Sequence, residues 1–309
     1  MLGRQRLSRT YTRRDLMIPI AATAAMYSTS PIFAANSKKM RMDIGYTGIT
    51  WMNSQVDQAV QTVSSLGFFG FETFGDVLSS WQKKGGLEAI LEKNHLPLIS
   101  GYCTMNLTES SLQVEELTKA RNWCKLIKQC NGRIFVVGPN PVDRRTYDFS
   151  ANKANILLAL NEIALVVEQE GLTPVLHQHT GTCIESKDET YAVLESADTR
   201  HLKFGPDVGQ LTKGGQNAVK VVADFLPLVQ HMHLKDYNGK DESLAGYCPL
   251  GQGGVDVPAI LKMMEGRKIS GMVMVELDND PKSPSPTPPA VLARESRDYL
   301  RTIGIEFRV

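Results

Sequence analysis

The chain has 309 residues, of which 42% are hydrophobic and 22% charged, and its formal net charge is +1. That balance belongs to an ordinary globular protein and excludes the low hydrophobicity and high net charge of a disordered chain. Five scattered cysteines, an odd count without a C-x-x-C pair, indicate neither a disulfide framework nor a zinc knuckle.

The first 35 residues read as an export signal. In Thr12-Arg13-Arg14-Asp15-Leu16-Met17 a twin arginine directly precedes an apolar stretch, roughly Leu16 to Met26, and small residues follow as far as Phe33-Ala34-Ala35. This order of n-region, h-region and cleavage site predicts a twin-arginine signal peptide over 1–35 and a periplasmic mature protein. The apolar stretch falls short of the ~20 residues that a membrane anchor needs, and no later segment reads as a span. Cleavage would remove five Arg and one Asp, leaving 29 basic and 32 acidic residues and a net charge of −3. Neither a membrane nor a nucleic-acid partner is therefore expected of the mature chain.

From residue 40 onward a short apolar, β-branched run alternates with a stretch of helical period. The strand candidates are 41–48, 68–75, 96–103, 133–139, 173–179, 202–209, 229–236 and 271–278. Between them lie helical stretches such as VDQAVQTVSSLG, LQVEELTKARNWCKLIKQC and ANILLALNEIALVVEQEG, the last ending at Gly171 in a C-cap position. Eight such units predict an α/β protein, a single (β/α)8 TIM barrel over residues 36–309. A doubly wound open sheet would place a glycine-rich phosphate turn after its first strand, and Tyr46-Thr47-Gly48-Ile49 is not one.

A barrel carries its chemistry at the C-terminal ends of its strands. Polar residues gather there: Glu72, His177 and His179, Asp207, His231, His233 and Lys235, and Glu276 and Asp278. Residues two apart share a strand face, so each H-x-H pair can point into the mouth. One His from the fifth strand, Asp207, one His from the seventh and Glu276 supply two nitrogens and two carboxylates. That donor set suits Mn²⁺, Zn²⁺, Co²⁺, Mg²⁺ or Fe²⁺ rather than a thiolate-seeking metal. A two-His, one-carboxylate oxygenase site is an alternative use of the same groups.

VLHQHTGT, GPDVGQ, HMHLKD, GQGGVD and VMVELD, in this order, resemble the xylose-isomerase-like barrel superfamily of sugar isomerases, ketose epimerases, inosose dehydratases and abasic-site endonucleases. The His-rich stretch ending in Gly-Thr and the turn Thr47-Gly48-Ile49-Thr50-Trp51 look most like the inosose dehydratases. The resemblance, spanning residues 41–305, implies one divalent ion, Mn²⁺ first, held by His177, Asp207, His233 and Glu276. His177 stands where most isomerases and epimerases keep a glutamate, and Gln210 where many relatives have a substrate-contacting His. The missing glutamate argues against a simple ketose 3-epimerase.

A divalent metal beside a neutral base suits proton abstraction next to a carbonyl. The expected activity is thus a metal-dependent lyase or isomerase acting on a keto-sugar, inosose or 3-keto-glycoside, with dehydration or elimination favoured over isomerisation or epimerisation. His179 is the first candidate base. Lys235, with its proton affinity lowered by a nearby metal, is the second; it could instead reach solvent or pair with Asp236. Glu72 either binds a sugar hydroxyl or accepts from neighbouring backbone. His231 is expected to support the metal site and Asp278 to orient a ligand His or stay solvated. Gly251-Gln252-Gly253-Gly254 reads as an anion cradle or as a close turn followed by an Asp256 cap. The proline-rich 281–289 reads as a stiff surface loop able to form a pocket wall. Other uses of the barrel are an abasic-site endonuclease, which export and the −3 charge disfavour, and a non-catalytic sugar-binding barrel. The partner expected is a small carbohydrate; homo-oligomer formation is left open.

Overall fold

The structure, a computed structural model, describes residues 39–40, 42–279, 282 and 284–309. The expected signal over 1–35 lies outside the described residues, as do Pro281 and Ser283 of the proline-rich stretch. Eight parallel strands form the framework: β1 (Ile44–Thr47), β2 (Phe71–Phe74), β3 (Leu98–Met105), β4 (Ile134–Pro139), β5 (Thr173–Leu176), β6 (Lys203–Phe204), β7 (Met232–Leu234) and β8 (Val273–Val275). Their order is β6-β5-β4-β3-β2-β1-β8-β7. Parallel bridges Phe204–Val229 and Asp207–His233 join β6 to β7 and close the barrel. The expected (β/α)8 architecture is therefore present; β3 runs two residues past its expected segment, and the other seven strands lie within theirs but are shorter.

Strands form where β-branched and aromatic residues can be buried on both faces. Ile44, Phe71, Leu98, Phe135, Val137, Leu176 and Phe204 are essentially sealed from solvent, each contributing about 1.5–3 kcal/mol by burial. The helices cover the outside. The longest, Phe149–Gln169, opens with Asp148 accepting from the Ala151 N–H and ends just before Gly171 at φ +84°. That left-handed position needs a glycine, as its sequence position suggested. Among the described residues no helix is long and apolar enough to cross a membrane.

Two features position the site. Side chains alternate along β8, so Met272 and Met274 share a face with Glu276 and Asp278. The methionines pack with Ile99 against Phe69 in an apolar plug at the barrel floor, and the carboxylates follow them into the mouth. The register between β2 and β3 also shifts, with Phe71 opposite Leu98 but Glu72 opposite Ser100. This irregularity aligns Glu72 with a hydroxyl rather than an apolar side chain. The Gly251–Gly254 segment is a close turn. Its N–H groups at Gly251 and Gly253, with that of Val255, donate to the Asp236 carboxylate at 2.9, 2.9 and 3.0 Å. They are spent on that side chain, which removes the anion-cradle alternative, and Asp256 caps the helix Val257–Met264 as expected. The final proline of 281–289, Pro289, opens the helix Pro289–Thr302 rather than extending the loop.

Candidate active site

His177 and Gln178 follow directly on β5, Asp207 follows β6, His233 sits within β7 and Glu276 just beyond β8. All five are buried. One nitrogen each of His177 and His233 and one oxygen of Asp207 lie within 4.8 Å of one another, an arrangement that could hold a metal ion. His177 Nε2 is 3.9 Å from Asp207 Oδ2, and the His177 and His233 rings are 4.6 Å apart. Neither nitrogen of His177 has a hydrogen-bond partner. A buried polar atom left unpaired costs about 1–3 kcal/mol, so two on one imidazole are a cost that a cation between these donors would remove. Burial, reinforced by His233, His179 and Lys235, holds the His177 imidazolium well below its ordinary pKa, leaving the ring neutral as metal ligation requires.

His233 bridges two carboxylates. Its Nε2 is 2.8 Å from Glu72 Oε1 and its Nδ1 3.1 Å from Glu276 Oε2, both out of hydrogen-bond alignment. Burial opposes its charge, but Glu276 and Glu72 outweigh burial and push its pKa up to about 9.

Beneath it, Glu72 is fixed by side chains. Ser100 Oγ donates to Oε2, which His231 Nε2 also approaches at 3.0 Å. The Met272 N–H points at His231 Nδ1 at 3.2 Å, so that nitrogen is the acceptor and Nε2 carries the proton given to Glu72. Burial alone would raise the Glu72 carboxyl, yet His233 and His231 hold it well below the usual carboxylate range. The backbone reading of Glu72 needs correcting: its side chain meets the side chains of Ser100 and His231, with His233 facing it at 2.8 Å, and it also lines a cavity beside His179. His231 contacts Glu72 and, with Glu72 and His233, forms a second buried set of donor atoms that could hold a metal ion.

Lys235 also departs from expectation. It neither reaches solvent nor pairs with Asp236. Its fully buried ammonium lies 2.5 Å from Glu276 Oε1, 2.8 Å from Asp278 Oδ1 and 3.0 Å from Asp207 Oδ2, over the Tyr247 ring. Burial would lower its proton affinity, but Asp207, Asp278 and Glu276 raise it well above the ordinary lysine value. Glu276 is raised by burial, with His233 and Lys235 opposing.

His179 faces the mouth. Its Nδ1 donates to the Thr180 carbonyl at 2.6 Å and its Nε2 accepts from the Gln210 amide at 2.7 Å. Burial lowers its pKa and Asp278 opposes the shift, so the imidazole stands neutral. Gln210, itself buried, accepts from Thr180 Oγ1 at 2.6 Å and reaches Asp278 Oδ2 at 3.4 Å. Asp278 therefore orients His179 through an amide, and is neither solvated nor the direct partner of a metal-ligand His.

A cavity of about 240 Å³ opens beside His179, Glu276, Glu72 and Tyr102, and an outer chamber of about 730 Å³ adjoins it, with Ile49, Phe74 and Tyr102 as walls of both. Sequence reasoning missed Ser100, Tyr102 and the outer aromatic walls. Spacing gave no signal for the first two. Gln210 was visible as a departure from pattern, though its hold on His179 was not.

The family model described as xylose isomerase-like TIM barrel matches residues 60–303. An inosose dehydratase of Clostridium botulinum is 23% identical over 294 residues, covering 84% of this chain and 97% of that protein. Two solved structures share the fold. A 3-keto-D-glucoside 4-epimerase from E. coli has a TM-score of 0.66 at 16% identity, covering 85% of this chain and 100% of that one. The zinc-bound IOLI protein has a TM-score of 0.67 at 16% identity, covering 85% and 98%.

Proposed function

The chain belongs to the xylose isomerase-like TIM barrel family, and from that membership and the site we propose a divalent-metal-dependent lyase acting on a keto-sugar, inosose or 3-keto-glycoside. One observation carries the reading. A buried His177–Asp207–His233 group, with both nitrogens of His177 unpaired, lies directly behind Tyr102 and Glu276, which line a sugar-sized cavity on whose wall stands a neutral, oriented His179. Similarity to an inosose dehydratase and, at the level of fold, to a keto-glucoside epimerase supports carbonyl-adjacent proton chemistry.

His177, Asp207, His233 and Glu276 would hold the ion, with Mn²⁺ proposed. When bound it supplies positive charge that stabilises a carbonyl oxygen as it becomes an enolate. His179 Nε2 takes the proton from the carbon beside that carbonyl once the ring exchanges the Gln210 amide for substrate. Lys235 holds Asp207, Glu276 and Asp278 at fixed positions, and the proton taken by His179 is available to the departing oxygen. Loss of a β-substituent completes elimination; return of the proton would instead give the isomerase or epimerase outcome. Among the described residues, those lining the two cavities include neither Lys nor Arg, which favours an unphosphorylated sugar. We also propose twin-arginine export of the chain to the periplasm, which fits that substrate.

The test is product analysis of the Mn²⁺-loaded protein with inososes and 3-keto-glycosides, using His233→Ala as control. Loss of water or aglycone, absent in the variant, supports the lyase. An unchanged mass with a rearranged sugar reassigns the enzyme to isomerisation or epimerisation. No turnover at undiminished sugar affinity in the variant leaves a binding protein.

A further inference from the structure

The inner cavity of about 240 Å³ is sized for one sugar ring, yet the outer chamber of about 730 Å³ falls in the range that encloses a much larger ligand. The outer walls are aromatic. Trp51, Phe74, Tyr102 and Trp123 line that chamber, and Asp76 and Asn279 add polar groups.

The aromatic walls are held in place from several sides. Trp123 Nε1 donates to Ser79 Oγ at 3.1 Å, fixing the ring plane. Its ring lies so close to Gly75 that a Cβ there would come within 2.7 Å of it. Tyr102 lies equally close to Gly138, where a Cβ would meet the ring at 2.4 Å. Phe74 meets Tyr102 edge-on at 5.5 Å, and Trp51 meets Tyr46 at 5.9 Å. Two glycines thus leave room for two rings of one chamber, and each ring is fixed by a neighbour. Asn279 is anchored to the Thr50 carbonyl and the Ser285 N–H, so it too presents a fixed surface. Rigid aromatic faces with a few polar groups take flat ligands with an apolar face, such as the C–H face of a pyranose or an aryl ring.

We infer that the outer chamber is a leaving-group subsite and that the substrate is a glycoside whose second ring, sugar or aryl, lies between Trp51 and Trp123. The inference rests on the proposed carbonyl-adjacent elimination. With the keto-sugar ring in the inner cavity, the glycosidic bond crosses the Ile49–Phe74–Tyr102 neck. For a 3-keto ring, His179 takes the C2 proton and the C2–H electron pair becomes the C1=C2 double bond. The C1–O bond breaks with its electrons on oxygen, and that oxygen takes up the proton held by His179 and leaves as an alcohol through the outer chamber. No oxidant or reductant is consumed.

The test compares methyl, glucosyl and phenyl glycosides carrying the same 3-keto-glucosyl ring. Turnover is read as kcat/KM with the Mn²⁺-loaded protein, and affinity by tryptophan fluorescence with the corresponding unoxidised glycosides. The wild type should prefer the glucosyl or phenyl member over methyl by roughly tenfold, the scale of one aromatic contact. Trp123→Ala should collapse that ratio towards one. Trp123→Phe should restore most of it, and Gly75→Ala, which displaces the ring from the backbone side, should lower it with Trp123 intact. Whichever ring is preferred names the aglycone class. Equal affinity for all three, or an equal loss for all three in Trp123→Ala, overturns the subsite. If no keto-glycoside is turned over while the Trp123-dependent ratio persists, the subsite stands and the elimination reading fails.

Discussion

The ammonium of Lys235 stands 3.0 Å from Oδ2 of Asp207, the same oxygen that faces Nε2 of His177 at 3.9 Å. A lysine and an expected metal ligand thus share one carboxylate, and the lysine also neutralises Glu276 and Asp278. Lys235→Met would leave the buried carboxylates of Asp207 and Glu276, and the partly buried one of Asp278, without their cation. Removing one partner of a buried pair costs about 3–5 kcal/mol, so a drop of that size is expected in denaturant unfolding of the metal-free protein. Saturating Mn²⁺ should recover part of it by binding the freed oxygens. An unchanged unfolding midpoint would contradict the role given to the ammonium.

Metal removal gives a second prediction. A ligand that binds the native state alone stabilises it by mass action, about 2.7 kcal/mol at 100 times Kd. Dialysis against a chelator should therefore lower the melting temperature of the wild type, and Mn²⁺ should restore it. In His177→Ala the chelator-dependent shift should shrink or vanish. Equal shifts in both proteins would place any bound ion elsewhere.

Glu72 provides a contrast between support and catalysis. Its carboxylate meets Ser100, His231 and His233 at the inner end of the cavity that it lines. Glu72→Ala should cost about 3–5 kcal/mol of stability and weaken metal binding by about 10–100-fold through the orientation of His233. Calorimetric titration with Mn²⁺ reads the second effect. A variant of native stability and metal affinity that has lost only kcat would return Glu72 to direct contact with substrate.

The acid limb of stability reports on the loop that carries His179. Glu189 accepts from the N–H groups of Glu185 and Ser186 and pairs with Arg144 at 2.8 Å. Burial opposes its charge, but Arg144 and these backbone groups hold its pKa below the usual 4.5. A depressed folded-state pKa means that the contribution is present above the unfolded value and lost as pH falls through the folded one. Glu189→Gln should therefore be less stable than wild type near neutrality, with the two curves converging at lower pH. Parallel curves from neutrality down to about pH 3 would remove Glu189 from the acid response.

The barrel was legible because period-2 apolar runs and period-3.6 helices alternate eight times, and parity along 229–236 and 271–278 already placed His231, His233, Lys235, Glu276 and Asp278 on inward faces. Depth was not legible. Glu72 meets Ser100 through a register shift between β2 and β3, and a register between separate strands leaves no mark in the spacing of either. The partners of Lys235 come from two distant chain segments, Asp207 after β6 and Glu276 with Asp278 after β8, so its nearest neighbour in sequence, Asp236, was a misleading guide. Asp236 is instead occupied by the turn N–H groups of Gly251, Gly253 and Val255. Gln210 looked like a lost substrate contact and is the residue that orients His179.

The central claim is that His179 removes a proton from the carbon beside a sugar carbonyl. Proton NMR in D₂O of the Mn²⁺-loaded protein with a 3-keto-glycoside, wild type against His179→Ala, measures that step directly. The account predicts loss of the proton signal at that carbon together with release of the β-substituent, both slowed by about 10²–10⁴ in the variant. Retention of the proton in the wild type, or exchange at the same rate in both proteins, would contradict it.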